Sequence, residues 1–283
     1  MKTPAISGDA FRELAQGWED GFGLDKIATS RTSTESRMIH QLKHRRSALL
    51  LSVGLLTAVA AGAEYAPFQG YVEMPQTLAP MIMGNMASEN LRVLNERNSS
   101  KKGSVAPAGA GAGSSITGTL APPTGQPRAP HLLAERYPQA QRAKVEHAYF
   151  EALRTYGELE KKFGIPPNDV AGAVAAFIAG NYMAWRDVDF PDADFPPLVA
   201  QMREVLALNP AFMRSSSAEK RDMYEQLATI GSFMAITRMA LKKQPSEGRV
   251  AANFRSAAKA NLEQFLKTDV DRISLTHSGL LLR

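Results

Sequence analysis

The stretch Val170-Ala-Gly-Ala-Val-Ala-Ala-Phe-Ile-Ala-Gly-Asn-Tyr-Met-Ala184 decides the fold of this 283-residue chain. It contains no charged residue, and its alanines and apolar side chains favour a helix that is apolar on every side. Its 15 residues are too few to cross a bilayer, which takes about 20. We therefore predict a central helix that other helices enclose. Gly172, Ala176 and Gly180 recur every four residues and predict a nearly flat stripe where a neighbour approaches closely.

Amphipathic helices are predicted on both sides of this central helix. Before it, apolar residues recur at steps of three and four until Gly164 ends the helix. After it, one helix opens at Asp194, one begins at a capping box of Ser216 and Glu219, and one follows Ser246. The C-terminal tail reads as strand-like or extended, with no hairpin pattern, and no internal repeat is evident. The predicted fold class is all-α, a bundle of about five helices.

Residues 38–63 have the three parts of a secretory signal peptide. Three basic residues at 43–46 form the head, and an uncharged apolar stretch follows over 47–63, ending in small residues that suit a signal peptidase. We predict cleavage after Ala63 and Sec export to the periplasm or the medium. If the segment stays uncleaved, it would anchor the protein in the inner membrane instead.

The other segments are assigned from composition. Residues 1–37 are interpreted as an over-extended start, with translation beginning at Met38, or as a disordered tail. Residues 64–102 are expected to be partly ordered. Gly, Pro, Ala, Ser and Thr dominate 103–130, which offers too little apolar surface to fold, so we predict a flexible linker there. The helical domain is expected to span 131–283.

Charge and composition exclude several classes of function. The chain carries 33 basic and 28 acidic side chains, a formal net charge of +5, and much of the excess lies in 38–63. The folded part is nearly balanced, so no basic face for nucleic acid is implied. The absence of cysteine excludes disulfides, thiolate metal sites and cysteine nucleophiles. The expected partner is an unknown protein, peptide or envelope component, and the membrane is met only transiently through 47–63.

Three patterns with possible chemistry have simpler interpretations. Ser217 and Lys220 match the Ser-x-x-Lys signature of penicillin-binding enzymes, but the companion motif is absent and a helix start explains them. Four aspartates between 187 and 194 would suit calcium, but we favour a solvated loop whose last aspartate caps a helix. The three histidines after the signal segment lack helical metal spacing: His131, His147 and His277. We therefore predict no catalytic residue, no cofactor and no metal site.

A polar group at the end of the central helix is the candidate site. Because buried polar side chains need partners, these residues either pair with the facing helix, through Gln201 or Arg203, or line a small pocket. The candidate residues are Asn181, Tyr182, Trp185, Arg186, Gln201 and Arg203.

A family resemblance rests on three stretches: Asn168-Asp-Val-Ala-Gly-Ala-Val-Ala-Ala-Phe-Ile-Ala-Gly-Asn-Tyr182, Gln201-Met-Arg203 and Tyr224-Glu-Gln-Leu-Ala228. With these stretches, residues 131–283 resemble a family of uncharacterised exported bacterial proteins catalogued as a domain of unknown function. The resemblance implies bacterial export, and it carries no known activity or catalytic residues.

The expected function is that of an exported, non-enzymatic helical binding module of the bacterial cell envelope. The alternative is a small periplasmic hydrolase acting on envelope polymer. Glu158 and Glu160 are assigned to the helix surface by default, although a muramidase-like use of either is left open. A carboxyl group of raised pKa, lying in a cleft beside a second carboxylate, would favour the hydrolase.

Overall fold

The structure is a computed structural model that describes residues 117–123, 125–243 and 248–282, together with Arg92 and Glu96. Several predicted segments lie outside the described residues: 1–37, the signal peptide 38–63 with its cleavage site, 64–102 apart from Arg92 and Glu96, and the part of the predicted linker at 103–116. Within the described ranges, no helix has both the length and the apolar character needed to cross a membrane.

The described part of the chain is a helical bundle with a small C-terminal hairpin. Its α-helices are α1 (Ala129–Ala134), α2 (Gln139–Phe163), α3 (Val170–Arg186), α4 (Phe195–Ala207), α5 (Pro210–Arg214), α6 (Ser217–Lys243) and α7 (Gly248–Leu266). Five of them have between 13 and 27 residues. This confirms the predicted all-α bundle of about five helices.

Helix α3 lies at the centre of the bundle, as its composition predicts. It packs against α6, α7 and α4, and α2 also packs on α6. Every residue of α3 is buried except Tyr182, Trp185 and Arg186. The only polar side chain among its buried residues is that of Asn181. The three residues of α3 that reach solvent therefore come from the group singled out in the sequence.

The predicted stripe of small residues is where two helices cross. A β-carbon on Gly180 would overlap the carbonyl oxygen of Gly231 in α6, and one on Gly231 would stand 2.5 Å from the backbone of Ala176. Gly172 has another role, since a β-carbon there would lie 2.5 Å from the hydroxyl of Tyr156. Gly180 and Ala176 thus lie against the backbone of α6, and Gly172 leaves room for the side chain of Tyr156.

Three predicted helix ends follow the sequence signals, and the predicted helix start at Ser246 lies outside the described residues. Gly164 ends α2 in the left-handed conformation, with φ of 62°. Asp169 caps α3 by accepting a hydrogen bond from Ala171 N, and the carboxylate of Glu219 accepts from the backbone and hydroxyl of Ser216. The predicted cap at Asp194 is wrong, because its side chain accepts no hydrogen bond at the start of α4.

The C-terminal tail forms a hairpin that the sequence analysis did not predict. β1 (Ile273–Thr276) pairs antiparallel with β2 (Gly279–Leu282). Gln201 of α4 binds both main-chain groups of Leu280, donating from Nε2 to the carbonyl at 2.8 Å and accepting from the amide at 2.7 Å. The hairpin is therefore held by a helix side chain rather than by a turn motif recognisable in the sequence.

The end of the predicted linker also differs from the expectation. Residues 117–123, here called the strap, lie on the bundle, and the fully buried Thr119 belongs to them. Leu120 forms an antiparallel bridge with Asp169, and Ala121 N donates to Asn168 O at 2.9 Å. Composition predicts a free linker as far as Pro130, but these main-chain contacts fix its C-terminal part.

Candidate functional site

The six candidate residues lie in three separate places. Asn181 is buried between α3 and α7, its Nδ2 donates to Phe177 O, and its Oδ1 accepts from Asn261 Nδ2 at 2.8 Å. Its partner is therefore Asn261, and neither Gln201 nor Arg203 reaches it. Gln201 and Arg203 both belong to α4. Gln201 binds the C-terminal hairpin, and Arg203 pairs with Asp169, the residue that caps the start of α3.

Tyr182, Trp185 and Arg186 do lie together, at the surface where α3 ends. The guanidinium carbon of Arg186 is 3.7 Å from the centroid of the Trp185 ring, a cation–π contact. The Tyr182 ring meets Trp185 edge to face, with centroids 5.9 Å apart. Lys259 of α7 places its ammonium 5.9 Å from the same indole centroid. We call these four residues the Trp185 face.

A carboxylate lies between the two cations of the Trp185 face. Asp271 is in the 3-10 turn that follows α7, and one of its oxygens is 3.4 Å from Arg186 Nη2 while the other accepts from Lys259 Nζ at 2.8 Å. The hydrogen bond from Lys259 holds the pKa of Asp271 below its usual value. The arrangement shows that this surface accommodates a carboxylate beside an aromatic ring.

A second polar group lies inside the bundle, around the loop between α2 and α3. Glu160 is only 5% exposed, contrary to its assignment to the helix surface. Its oxygens accept from the hydroxyl of Tyr224 at 3.1 Å and from Asn168 N at 3.1 Å. Burial raises the pKa of Glu160 to about 7, the charge of Asp169 adds to this effect, and the hydrogen bonds from Tyr224 and Asn168 oppose it.

The sequence contains a signal that could have found Glu160. It follows Tyr156 by four residues and precedes Phe163 by three, so it lies on the inward stripe of α2. Burial raises the pKa of Tyr156 well above its usual value. The hydroxyl of Tyr156 is also buried, with no hydrogen-bond partner among the described residues.

Two ion pairs surround this interior group. Arg203 Nη2 lies 2.6 Å from the fully buried carboxylate of Asp169. Arg221 of α6 donates to Glu225 at 2.6 Å and to the side chain of Asn168 at 2.6 Å. Asn168 adopts the left-handed backbone conformation, with φ of 65°, which asparagine tolerates better than most residues. The carboxylates of Asp169 and Glu225 are therefore both engaged by arginines.

Three of the four aspartates of the 187–194 loop pair with side chains of neighbouring helices: Asp187, Asp189 and Asp192. The guanidinium of Arg238 in α6 bonds to Asp187 and Asp189, and Lys242 donates to Asp189 at 3.1 Å. The hydrogen bond from Arg238 lowers the pKa of Asp189. No group of three potential metal ligands occurs among the described residues. The loop is an ion-paired connection between helices.

The Ser-x-x-Lys match is also explained by local structure. Ser217 is the first residue of α6, immediately after the capping box that starts this helix. The Lys220 ammonium donates to Gly118 O at 3.0 Å and stands 4.9 Å from the centroid of the Phe212 ring. The Lys220 ammonium therefore binds the strap, and it makes no hydrogen bond to the hydroxyl of Ser217.

A family model matches most of the chain. The model is that of a family of unknown function, DUF6683, and it matches residues 44–283. The chain belongs to the DUF6683 family. The match extends well upstream of the resemblance seen over 131–283, and it includes the strap and the 47–63 stretch. No curated protein and no solved structure gives a match. Membership of DUF6683 thus confirms the suspected family of unknown function.

Proposed function

We propose that this DUF6683 protein is an exported, non-enzymatic helical module that binds a component of the bacterial cell envelope through the Trp185 face. The observation that carries the proposal is the half-buried indole of Trp185 beneath the Arg186 guanidinium, 3.7 Å from the ring centroid. A buried helix that ends in half-buried aromatic side chains and an exposed arginine presents the residue types that dominate binding hot spots.

The charges of the face indicate the chemistry of the ligand. Asp271 already occupies the space between Arg186 and Lys259, and its carboxylate is bound by both. An envelope component that carries carboxylate groups would make the same contacts by displacing the side chain of Asp271, which is 54% exposed. In such a ligand the acidic group would bind Arg186 and Lys259. An apolar or sugar ring next to that group would pack on the indole of Trp185.

The proposal of export rests on the sequence and on the extent of the family match. The matched region begins at residue 44 and so includes the uncharged 47–63 stretch of the proposed signal peptide. We propose a location in the periplasm or outside the cell, with anchoring in the inner membrane as the alternative. N-terminal sequencing of the protein from its own cells tests this, since a mature chain beginning at Glu64 is expected and a chain beginning near Met1 would contradict cleavage.

Binding can be measured with the protein's own fluorescence. The chain has two tryptophans, Trp18 and Trp185, and cleavage after Ala63 leaves Trp185 alone. Purified peptidoglycan sacculi and outer-membrane vesicles are the probes, in sedimentation and in Trp fluorescence titrations. R186E and K259E should each weaken binding at least tenfold. R154E, at an exposed arginine of α2, is the matched control and should bind normally. Equal binding by all four proteins would refute the Trp185 face as the site.

One observation favours the alternative of a hydrolase that acts on envelope polymer. Glu160 has a pKa of about 7, the value that a general acid needs at neutral pH, and Asp169 is close enough to affect it. Both oxygens of Glu160 are nevertheless engaged inside the bundle. Release of soluble fragments from sacculi by the wild type, and its loss in E160Q, would establish the hydrolase. We expect no release from either protein.

A further inference from the structure

The strap is held mainly through its backbone. Lys220 and Arg221 of α6 donate to the carbonyl oxygens of Gly118 and Pro122, at 3.0 Å and 3.5 Å. Between these two points, Ala121 N donates to Asn168 O. Contacts of this kind recognise a peptide by its main chain, as in other modes of peptide recognition in which a segment pairs with an exposed backbone.

Residues 117–119 of the strap are helical, and from Thr119 to Pro122 buried and half-buried side chains alternate. Thr119 is fully buried and Ala121 is 4% exposed, whereas Leu120 and Pro122 are half-buried. The two buried positions hold small residues, a threonine and an alanine. We call the surface that receives them the strap groove, formed by Asn168, Asp169, Met213, Lys220 and Arg221. The donors of this groove and the burial of Thr119 and Ala121 fit a segment of the type small–aliphatic–Ala–Pro.

The same short sequence occurs elsewhere in the chain. Thr77-Leu78-Ala79-Pro80 is identical to Thr119-Leu120-Ala121-Pro122, and Ser104-Val105-Ala106-Pro107 is a conservative variant of both. A unit of four common residues is not recognisable as a repeat in the sequence alone, and it becomes distinctive only because one copy is bound in the structure. Once the strap is seen in its groove, the other copies become possible occupants of the same site.

We propose that the strap groove is a peptide-recognition site for Thr-Leu-Ala-Pro segments, and that Thr77–Pro80 of the same chain exchanges with Thr119–Pro122 in it. An occupant from the same chain is favoured, because a linked segment has a far higher effective concentration than a segment of a second molecule. The 38 residues between Pro80 and Thr119 are enough to form the connecting loop.

The exchange would change the length of the tether that joins the bundle to the N-terminal part of the chain. With Thr119–Pro122 bound, the point at which the chain is fixed to the bundle lies at the strap. With Thr77–Pro80 bound, the fixed point moves to Thr77, 42 positions earlier in the chain. The segment bound in the groove would therefore set the length of free chain between the bundle and the N-terminal part. This inference concerns a surface other than the Trp185 face and does not depend on the function proposed there.

Hydrogen exchange measured by mass spectrometry on the full chain tests the proposal. T119R places a long cation at a fully buried position and should expel the strap. Exchange at 117–123 should then accelerate at least tenfold, while exchange at 71–83 should slow by a similar factor. T117R is the matched control, because Thr117 is exposed in the same strap, and it should leave both segments unchanged. In T77R/T119R the slowing at 71–83 should disappear.

A second measurement uses the unaltered chain, in case T119R disturbs folding. A synthetic Gly-Thr-Leu-Ala-Pro-Pro peptide in millimolar excess should accelerate exchange at 117–123 and leave the buried helix α3 protected. The same peptide with arginine in place of threonine should have no effect. If neither the peptide nor T119R changes exchange as described, the proposal fails. Slowing at 71–83 that depends on protein concentration would also refute it, because the occupant would then come from a second copy of the chain.

Discussion

Gly180 of α3 lies directly against Gly231 of α6, so that a β-carbon on Gly180 would overlap the carbonyl oxygen of Gly231. Two glycines, one on each helix, thus set the distance at which the central helix meets its main neighbour. Glycine in a helix interior costs about 1 kcal/mol relative to alanine. The close packing of the two backbones is what offsets this cost.

Replacing Gly231 with alanine should therefore destabilise the bundle. The new methyl group would stand 2.5 Å from backbone atoms of Ala176 and Phe177, which cannot rotate away. We expect G231A to lower the free energy of unfolding by about 3 kcal/mol in urea denaturation. G157A is the control, since a β-carbon at Gly157 of α2 meets nothing within 4 Å, and it should stabilise by about 0.5–1 kcal/mol. A G231A protein as stable as wild type would contradict this account of the crossing.

The buried carboxyl of Glu160 predicts how stability depends on pH. Its pKa is raised from 4.5 to about 7 in the folded chain, so the folded state binds more protons than the unfolded state between these values. The stability due to this group is fully present below pH 4.5 and is lost as the pH rises to about 7, by about 3 kcal/mol. E160Q should remove this loss.

The measurement is the difference in unfolding free energy between wild type and E160Q across this pH range. Subtraction removes the contributions of other groups, including Asp189 and Asp271, whose pKa values are lowered and whose stabilising effect disappears in acid. E158Q, at an exposed glutamate of the same helix, is the control. A difference that stays constant with pH would show that Glu160 titrates normally.

The ion pair between Asp169 and Arg203 should respond unequally to loss of its two partners. R203M leaves the fully buried carboxylate of Asp169 without its cation and should cost about 3–5 kcal/mol. D169N keeps a side chain able to cap α3 and leaves uncompensated an arginine that is 17% exposed, so a smaller loss is expected. Thermal unfolding of the two variants compares them, and the reverse order would refute the argument.

Asn181 and Asn261 form a buried pair that should behave as a unit. N261L leaves Asn181 Oδ1 without its donor and should cost about 1–3 kcal/mol. N181L/N261L removes both polar groups, so its loss should be clearly smaller than the sum of the two single losses. A double-mutant cycle of unfolding free energies measures this coupling, and strictly additive losses would mean that the two amides do not depend on each other.

Local patterns predicted the elements but only some of the contacts. The limits of α3 could be predicted because an uncharged run beginning after Asp169 has only one stable environment, the centre of a bundle. The role of Gly231 could not, because a single glycine in a helical pattern does not indicate which helix it meets. Glu160 was assigned to the helix surface because that is the usual place of a glutamate on an amphipathic helix, although its spacing from Tyr156 places it inside.

The contacts of the candidate site are likewise of two kinds, those between neighbours in the sequence and those between residues far apart in it. Trp185 and Arg186 are neighbours in the sequence, so their stacking at the end of α3 depends on local geometry alone. Asp271 reaches them only because α7 returns along α3 before the chain turns into the hairpin. The partner of Asn181 was sought in Gln201 or Arg203, but it is Asn261, 80 positions away.

The amino-acid sequence by itself determined the all-α class, the caps of several helices and the buried central helix, because each depends on residues within a few turns of one another. The tertiary structure decided which glycine meets which, where the carboxylates of Glu160 and Asp271 lie, and that the end of a Pro- and Ala-rich stretch is bound. These features depend on pairs far apart in the chain, and only packing of the helices brings such pairs within reach of a hydrogen bond.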